Sequence, residues 1–211
     1  MAKLLNGIWG AITGKLGNLV AVTRRGVTYL RALPKPSSKR PTEKQIAHRA
    51  RFKFMSQFFI PFTPYLTAGF YDPNSQRTAV NAAFALNYSR VIMGSYPNFV
   101  IDYGALIISD GVLKNLYEAK WITRGASGLD LLWTYPAPDY SNPDDQVMLV
   151  VYDPLLKIAD GFIGGVSRCA GRSSFELHPR MVNHALEVYV AVAALNRRDV
   201  SRSLYLGRIT R

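Results

Sequence analysis

Only one cysteine, Cys169, occurs in the 211-residue chain. Without a second thiol there is no internal disulfide, which excludes a disulfide-stapled secreted scaffold and points to a reducing or disulfide-independent setting. A lone thiol of this kind reads as a small buried hydrophobe. Histidine is nearly as scarce. His48, His178 and His184 are the whole set, and the last two stand six apart around the segment PRMVN, a spacing that matches no common zinc site. Long apolar runs are absent too. The longest uncharged stretch, Phe54 to Tyr71, carries Pro61 and Pro64 in its middle together with Ser, Thr and Gln, so it does not read as a membrane span. Near the start, Lys3 precedes an apolar stretch, but Asn6, several glycines and Lys15 interrupt it and no A-x-A pattern follows, so secretion is not expected.

Nucleotide-binding and catalytic motifs are missing in the same way. The segment GIWGAITGKLGN invites a phosphate reading, yet a P-loop needs glycine where Trp9 stands and Ser or Thr where Leu16 stands. A dinucleotide fingerprint ending at Gly14 and Gly17 needs glycine at position 12, which is Ile12. No G-x-S-x-G nucleophile elbow occurs, since GRSSF lacks the second glycine and GASG the spacing. Asp144 and Asp145 form a carboxylate pair after YSNP, where Asp is favoured for local backbone hydrogen bonds, so they read as a solvent-facing turn. GFIGG, residues 161–165, has no following helix to hold a phosphate and reads as a hairpin-type glycine cluster. The expectation is a non-enzymatic protein with no cofactor, no resident metal and no small-molecule substrate.

Acidic residues are scarce in one place. Residues 1–55 hold twelve Lys and Arg against the single acid Glu43, whereas residues 56–211 hold fourteen basic and thirteen acidic residues. Nearly all of the net charge of +12 therefore sits on the first quarter of the chain. Such a block attracts polyanions, or packs on an acidic patch of a neighbouring subunit. The candidate contact residues are Lys15, Arg24, Arg25, Arg31, Lys35, Lys39, Arg40, Lys44, Arg49, Arg51 and Lys53.

Within that block, NLVAVTRRGVTYLRAL alternates Val20, Val22, Val27 and Tyr29 around Arg24-Arg25-Gly26, the pattern of a β-hairpin whose turn uses a glycine. Gly7, Gly10, Gly14 and Gly17 are then sites of turning, bulging or close backbone approach. PKPSSKRP, residues 34–41, is a basic connector that can be neither helix nor central strand. Thr42 and Gln45 form a capping box that starts a helix. Ile46, Ala47, Ala50, Phe54 and Phe58 share one face of it, flanked by cations. The mixture RARFKFMSQFF is able to stack bases and grip phosphates, or to serve as a core helix with a solvated rim. A second helix is expected from about Ser75 to Tyr88, approached through Pro61 to Pro73 and packed on the first.

From about Tyr96 the pattern turns to strands: FVIDYGALIISDG, EAKWITRG, LDLLWTY, DQVMLVVYD, GFIGGVSRC, SSFELHP, LEVYVAVAAL and SRSLYLGRI, separated by Gly, Pro, Asn and Asp. Seven or eight short strands at this spacing predict an immunoglobulin-like antiparallel β-sandwich, with Trp133 or Trp121 as its large buried aromatic and Tyr189 or Tyr205 projecting from a late strand. The fold class is α+β, mainly β. Residues 1–41 form a basic hairpin arm and linker, 42–95 a two-helix segment and 96–211 the sandwich.

Several of these segments together are similar to a known pattern. Gly7, Gly10, Gly14, Lys15, Gly17 and Asn18, the strand Tyr29-Leu30-Arg31 leading to Pro34, the RPTEKQ step at 40–45, and the closing EVYVAVAAL and SRSLYLG resemble an uncharacterised domain-of-unknown-function family of bacterial proteins. The resemblance runs over nearly the whole length. It implies the same layout of basic hairpin, helices and sandwich, and brings no catalytic residue with it.

Two functional expectations follow. In the first, the protein is a structural or assembly component of the virion, tail or fibre kind, a homo-oligomer or part of a larger assembly, whose basic arm reaches a neighbouring subunit by strand addition. In the second, residues 1–55 grip the phosphates of a nucleic acid while the sandwich is a scaffold. The expected location is cytoplasmic or virion-associated.

Overall fold

A computed structural model describes residues 3–4, 10–24, 26–36, 38–125, 127–135 and 142–210. The chain divides into two compact units, Met1–Thr42 and Glu43–Arg211. It is mostly β, with three helices and several antiparallel sheets among the described residues.

The first unit is a four-stranded antiparallel meander: β1 (Lys3–Leu4), β2 (Ile12–Leu16), β3 (Leu19–Arg24) and β4 (Val27–Ala32). β3 and β4 are the hairpin that the alternation predicts, and β1 and β2 extend it. Two residues join β2 to β3 and two join β3 to β4, and Gly17 (φ +57°) and Gly26 (φ +78°) supply the left-handed backbone those tight turns need. Gly7 of the opening motif lies outside the described residues. Beyond β4, residues 33–36 and 38–42 take neither helix nor strand.

The second unit opens with α1 (Glu43–Phe59), which starts where Pro41-Thr42 places it. α2 (Thr63–Gly69) follows, then α3 (Ala79–Asn87), whose N-cap Thr78 side chain accepts from the Asn81 amide. α2 occupies the stretch that its prolines mark as a mere approach. Pro64 lies in the first turn, where a helix has no use for the missing N–H. A short hairpin, β5 (Ile92–Ser95) with β6 (Asn98–Ile101), comes next. The remainder of FVIDYGALIISDG is a buried loop and not a strand. The Asn87 amide pairs with both the N–H and the C=O of Ile107 at 2.9 Å, and the Ser203 hydroxyl accepts from Ile108 N, so side chains meet the polar demand that a ladder would otherwise meet.

The remaining strands are β7 (Tyr117–Arg124), β8 (Gly128–Thr134), β9 (Gln146–Asp153), β10 (Ile158–Ser167), β11 (Arg172–Glu176), β12 (Leu186–Ala193) and β13 (Leu204–Ile209). They form two antiparallel sheets of order β11-β8-β7 and β10-β9-β12-β13. Pairing the second of the seven strands with the fifth, and the third with the sixth, is the immunoglobulin Greek key, with the fourth strand attached to the β9 edge. GFIGG lies inside β10, an edge strand whose register jumps between Ile163 and Ser167, so Gly164 and Gly165 serve a bulge while Gly161 stays paired opposite Val150.

Between the sheets, Leu129, Leu131 and Trp133 meet Val147, Leu149, Val151, Val188, Val190 and Val192. Trp133 is the buried aromatic, and its indole N–H donates to the Arg168 carbonyl at 2.6 Å. The other face of the larger sheet is buried as well. Met148, Val150, Tyr152, Tyr189 and Ala191 pack with Met55, Phe59, Phe62, Tyr65 and Leu66 of the helical segment. Double burial explains why β9 reads VMLVVY without polar alternation.

This helix-facing layer is rich in phenols. Burial first, then the Asp160 charge, pushes Tyr65 up to about 12, and burial, aided by the bond to Glu187, pushes Tyr205 up to about 12. Burial also raises Tyr152, Tyr189 and Tyr103. A raised phenol favours the folded state while both states are protonated. Stability is therefore expected to hold up to about pH 10, the ordinary tyrosine value, and to fall toward about pH 12 as only the unfolded chain ionises. Denaturant midpoints against pH check this. Ionisation of these phenols near pH 10 in a chain still folded by circular dichroism would contradict it.

Candidate interaction surface

Opposed residues of an antiparallel sheet project to the same side, so register sorts the first unit into two faces. In β3 and β4 the pairs are Leu19 with Ala32, Val20 with Arg31, Ala21 with Leu30, Val22 with Tyr29 and Thr23 with Thr28. β2 adds Gly14 to Ala21, Lys15 to Val20 and Leu16 to Leu19. One face therefore holds Ile12, Gly14, Leu16, Leu19, Ala21, Thr23, Thr28, Leu30 and Ala32, with no charge at any position. The hydroxyls of Thr23 and Thr28 hydrogen-bond each other at 3.0 Å. The opposite face holds Lys15 and Arg31 on either side of Val20, with Val22 and Tyr29 in the next row.

Both faces carry exposed side chains. Leu16 is 55%, Leu30 61% and Tyr29 52% exposed, and among the described residues of the unit only Ala21 is buried. The sequence suggests Val20, Val22, Val27 and Tyr29 as the apolar docking set. Register instead puts Val20, Val22 and Tyr29 beside the cations and gathers Leu16, Leu19 and Leu30 on the uncharged side. That separation becomes visible only when both hairpin registers are known.

The other basic residues fall in three settings. Arg24 ends β3 at the position opposite Val27, and Arg25 lies outside the described residues. Lys35, Lys39 and Arg40 are exposed on the linker, and Lys44, Arg49 and Lys53 are exposed on α1. Arg51 is half-buried in its own unit. Its guanidinium donates to the carbonyls of Tyr88 and Ile92 at 3.2 and 3.4 Å and lies 5.1 Å from the Tyr88 ring centre. The aromatics of α1 are also engaged internally. Phe54 packs on Phe99, Phe58 on Phe62 and Tyr152, and Phe52, though half-exposed, lies against Phe84.

Several other expectations change. Cys169 is exposed, not buried. Asp145 is fully buried beside Arg168, 3.5 Å away, while its neighbour Asp144 faces solvent. Burial raises the Asp145 pKa against the lowering effect of Arg168. His184 Nδ1 lies 2.5 Å from the buried Asp153 carboxylate, which also accepts from Leu155 N and Leu156 N, an arrangement that fastens the β9–β10 turn. Among the described residues no group of three or more His, Cys, Asp or Glu is placed to hold a metal ion, and no helix is long and apolar enough to cross a membrane.

Residues 10–207 match the sequence profile described as a family of unknown function, DUF6266. The chain belongs to that family. The match spans β2 to β4 of the first unit, the linker, all three helices and nearly the whole sandwich, so the layout described here from β2 onward is that of a DUF6266 protein. No curated protein matches the chain.

Proposed function

We propose that this DUF6266 protein is a non-enzymatic building block of a larger assembly, of the virion, tail or fibre kind, and that its N-terminal sheet docks on a neighbouring copy of the chain. The supporting observation is the uncharged face of that sheet. Leu16, Leu19 and Leu30 stand exposed together, and among the described residues β4 is an edge strand of its sheet. A small sheet gains little stability alone, and exposed apolar clusters of this sort mark protein contacts. The open edge of β4 adds a route for strand addition. The compact second unit supplies the rigid body from which such a subunit is built.

The test is the mass of the protein in solution. The wild-type chain is expected to form a concentration-dependent oligomer, and Leu19→Ser with Leu30→Ser is expected to reduce it to monomer with the circular dichroism spectrum retained. A wild-type chain that stays monomeric across the accessible concentration range would sink the proposal.

A further inference from the structure

We infer that the opposite face of the same sheet binds single-stranded nucleic acid through its phosphates, independently of the assembly reading and without competing for its surface. Residues 1–42 contain eight Lys and Arg and no Asp or Glu, so the charge that this unit's own sequence supplies is wholly positive. Register then concentrates part of that charge. Lys15 and Arg31 flank Val20 on two outer strands of a three-strand row, which at ordinary strand spacing sets them about 10 Å apart. Tyr29 lies two residues from Arg31 on the same face, about 7 Å along the strand, with its ring half-exposed. Cations bordering an accessible aromatic ring are what an unpaired strand requires, because its phosphates and its bases are presented together.

Other polyanions fit less well. A second copy of this chain offers no complementary field, since residues 43–211 carry eighteen basic against fourteen acidic residues and are themselves net positive. An anionic membrane calls for protruding Trp, Phe or Leu among the cations. Among the described strand residues of this face the apolar ones are Val20, Val22, Val27 and Tyr29, and the exposed strand leucines Leu16, Leu19 and Leu30 lie on the other side.

Fluorescence anisotropy of a labelled oligo(dT) of about 20 nucleotides, titrated with the full chain from about 50 mM salt upward, tests the inference. Wild-type binding is expected at micromolar or tighter affinity, weakening steeply with salt. Lys15→Gln with Arg31→Gln is expected to lower affinity about tenfold or more at the lowest salt and to make the log–log salt slope shallower by about 1.4, the value for two lost contacts to a single strand. Arg31→Lys should bind within about twofold of wild type, which separates charge loss from misfolding. Tyr29→Leu is expected to weaken binding about tenfold with the slope unchanged. The Leu19→Ser, Leu30→Ser chain should keep the wild-type slope, and a wild-type chain that binds while remaining monomeric at every concentration would reject the assembly reading and leave this one standing. No binding at the lowest salt, equal slopes for wild type and the doubly neutralised chain, or capture by phosphatidylserine vesicles without capture of the oligonucleotide would each overturn it.

Discussion

A chain truncated to residues 96–211 is expected to lose cooperative unfolding and to aggregate, whereas one beginning at Glu43 should fold and melt as a unit. The reason lies on the larger sheet. Met148, Val150, Tyr152 and Tyr189 face Met55, Phe59, Phe62 and Leu66, so removing the helices exposes the outer face of a sheet whose inner face already carries the sandwich core. At about 1.5–3 kcal/mol for each large side chain returned to water, four such residues represent roughly 6–12 kcal/mol. That is comparable with the whole stability of an ordinary domain, about 5–15 kcal/mol. A single substitution probes the same contact without truncation. Phe62 is fully buried, with ring centres 4.6 Å from Tyr152 and 5.2 Å from Phe58, and Phe62→Ala should cost about 3–5 kcal/mol. Calorimetry of both truncated chains and urea titration of the variant decide the matter. A 96–211 fragment with a sharp reversible transition would make the helices an accessory layer.

The strands were the legible part of this fold, because short runs such as LDLLWTY and LEVYVAVAAL combine β-branched and aromatic residues with turn signals at each end. Two features escaped. α2 was hidden because Pro61 and Pro64 look like breakers, although Pro64 sits in the one turn of a helix that tolerates it. The loop through Leu106, Ile107 and Ile108 looked like a strand because it is apolar and buried, and its partners, Asn87 and Ser203, stand far away in sequence. In the candidate surface, the charge of the first unit was plain from composition alone. Its division into a cationic and an uncharged face was not, since a one-residue change in either hairpin register sends one strand's side chains to the opposite face and mixes the two sets. Arg51 shows the same limit from the other side: it counts as one more cation in the sequence, yet two backbone carbonyls and the Tyr88 ring hold it in place.

Arg208→Leu is expected to destabilise the protein more than Glu187→Leu, although the two residues are partners in one ion pair. Glu187 lies on β12 with no exposed surface, while the Arg208 side chain is about half exposed. The carboxylate accepts from Arg208 Nε at 2.7 Å, from its terminal nitrogen at 2.6 Å and from the Tyr205 hydroxyl at 2.6 Å. If Arg208 is removed, a buried negative charge keeps only the tyrosine, and breaking a buried pair in this way costs about 3–5 kcal/mol. If Glu187 is removed, Arg208 can turn to water and the half-buried Tyr205 can find a solvent partner, so the loss is nearer that of charge-assisted hydrogen bonds, about 1.5–3 kcal/mol. The double variant, Glu187→Leu with Arg208→Leu, should recover much of the Arg208→Leu loss, because no unpaired charge then remains inside. Urea unfolding of the three variants at neutral pH reads the order directly. Should Glu187→Leu be the costlier single change, or should the double variant be the least stable of the three, packing around residue 187 outweighs its charge and the ion pair is not what holds β13 to β12.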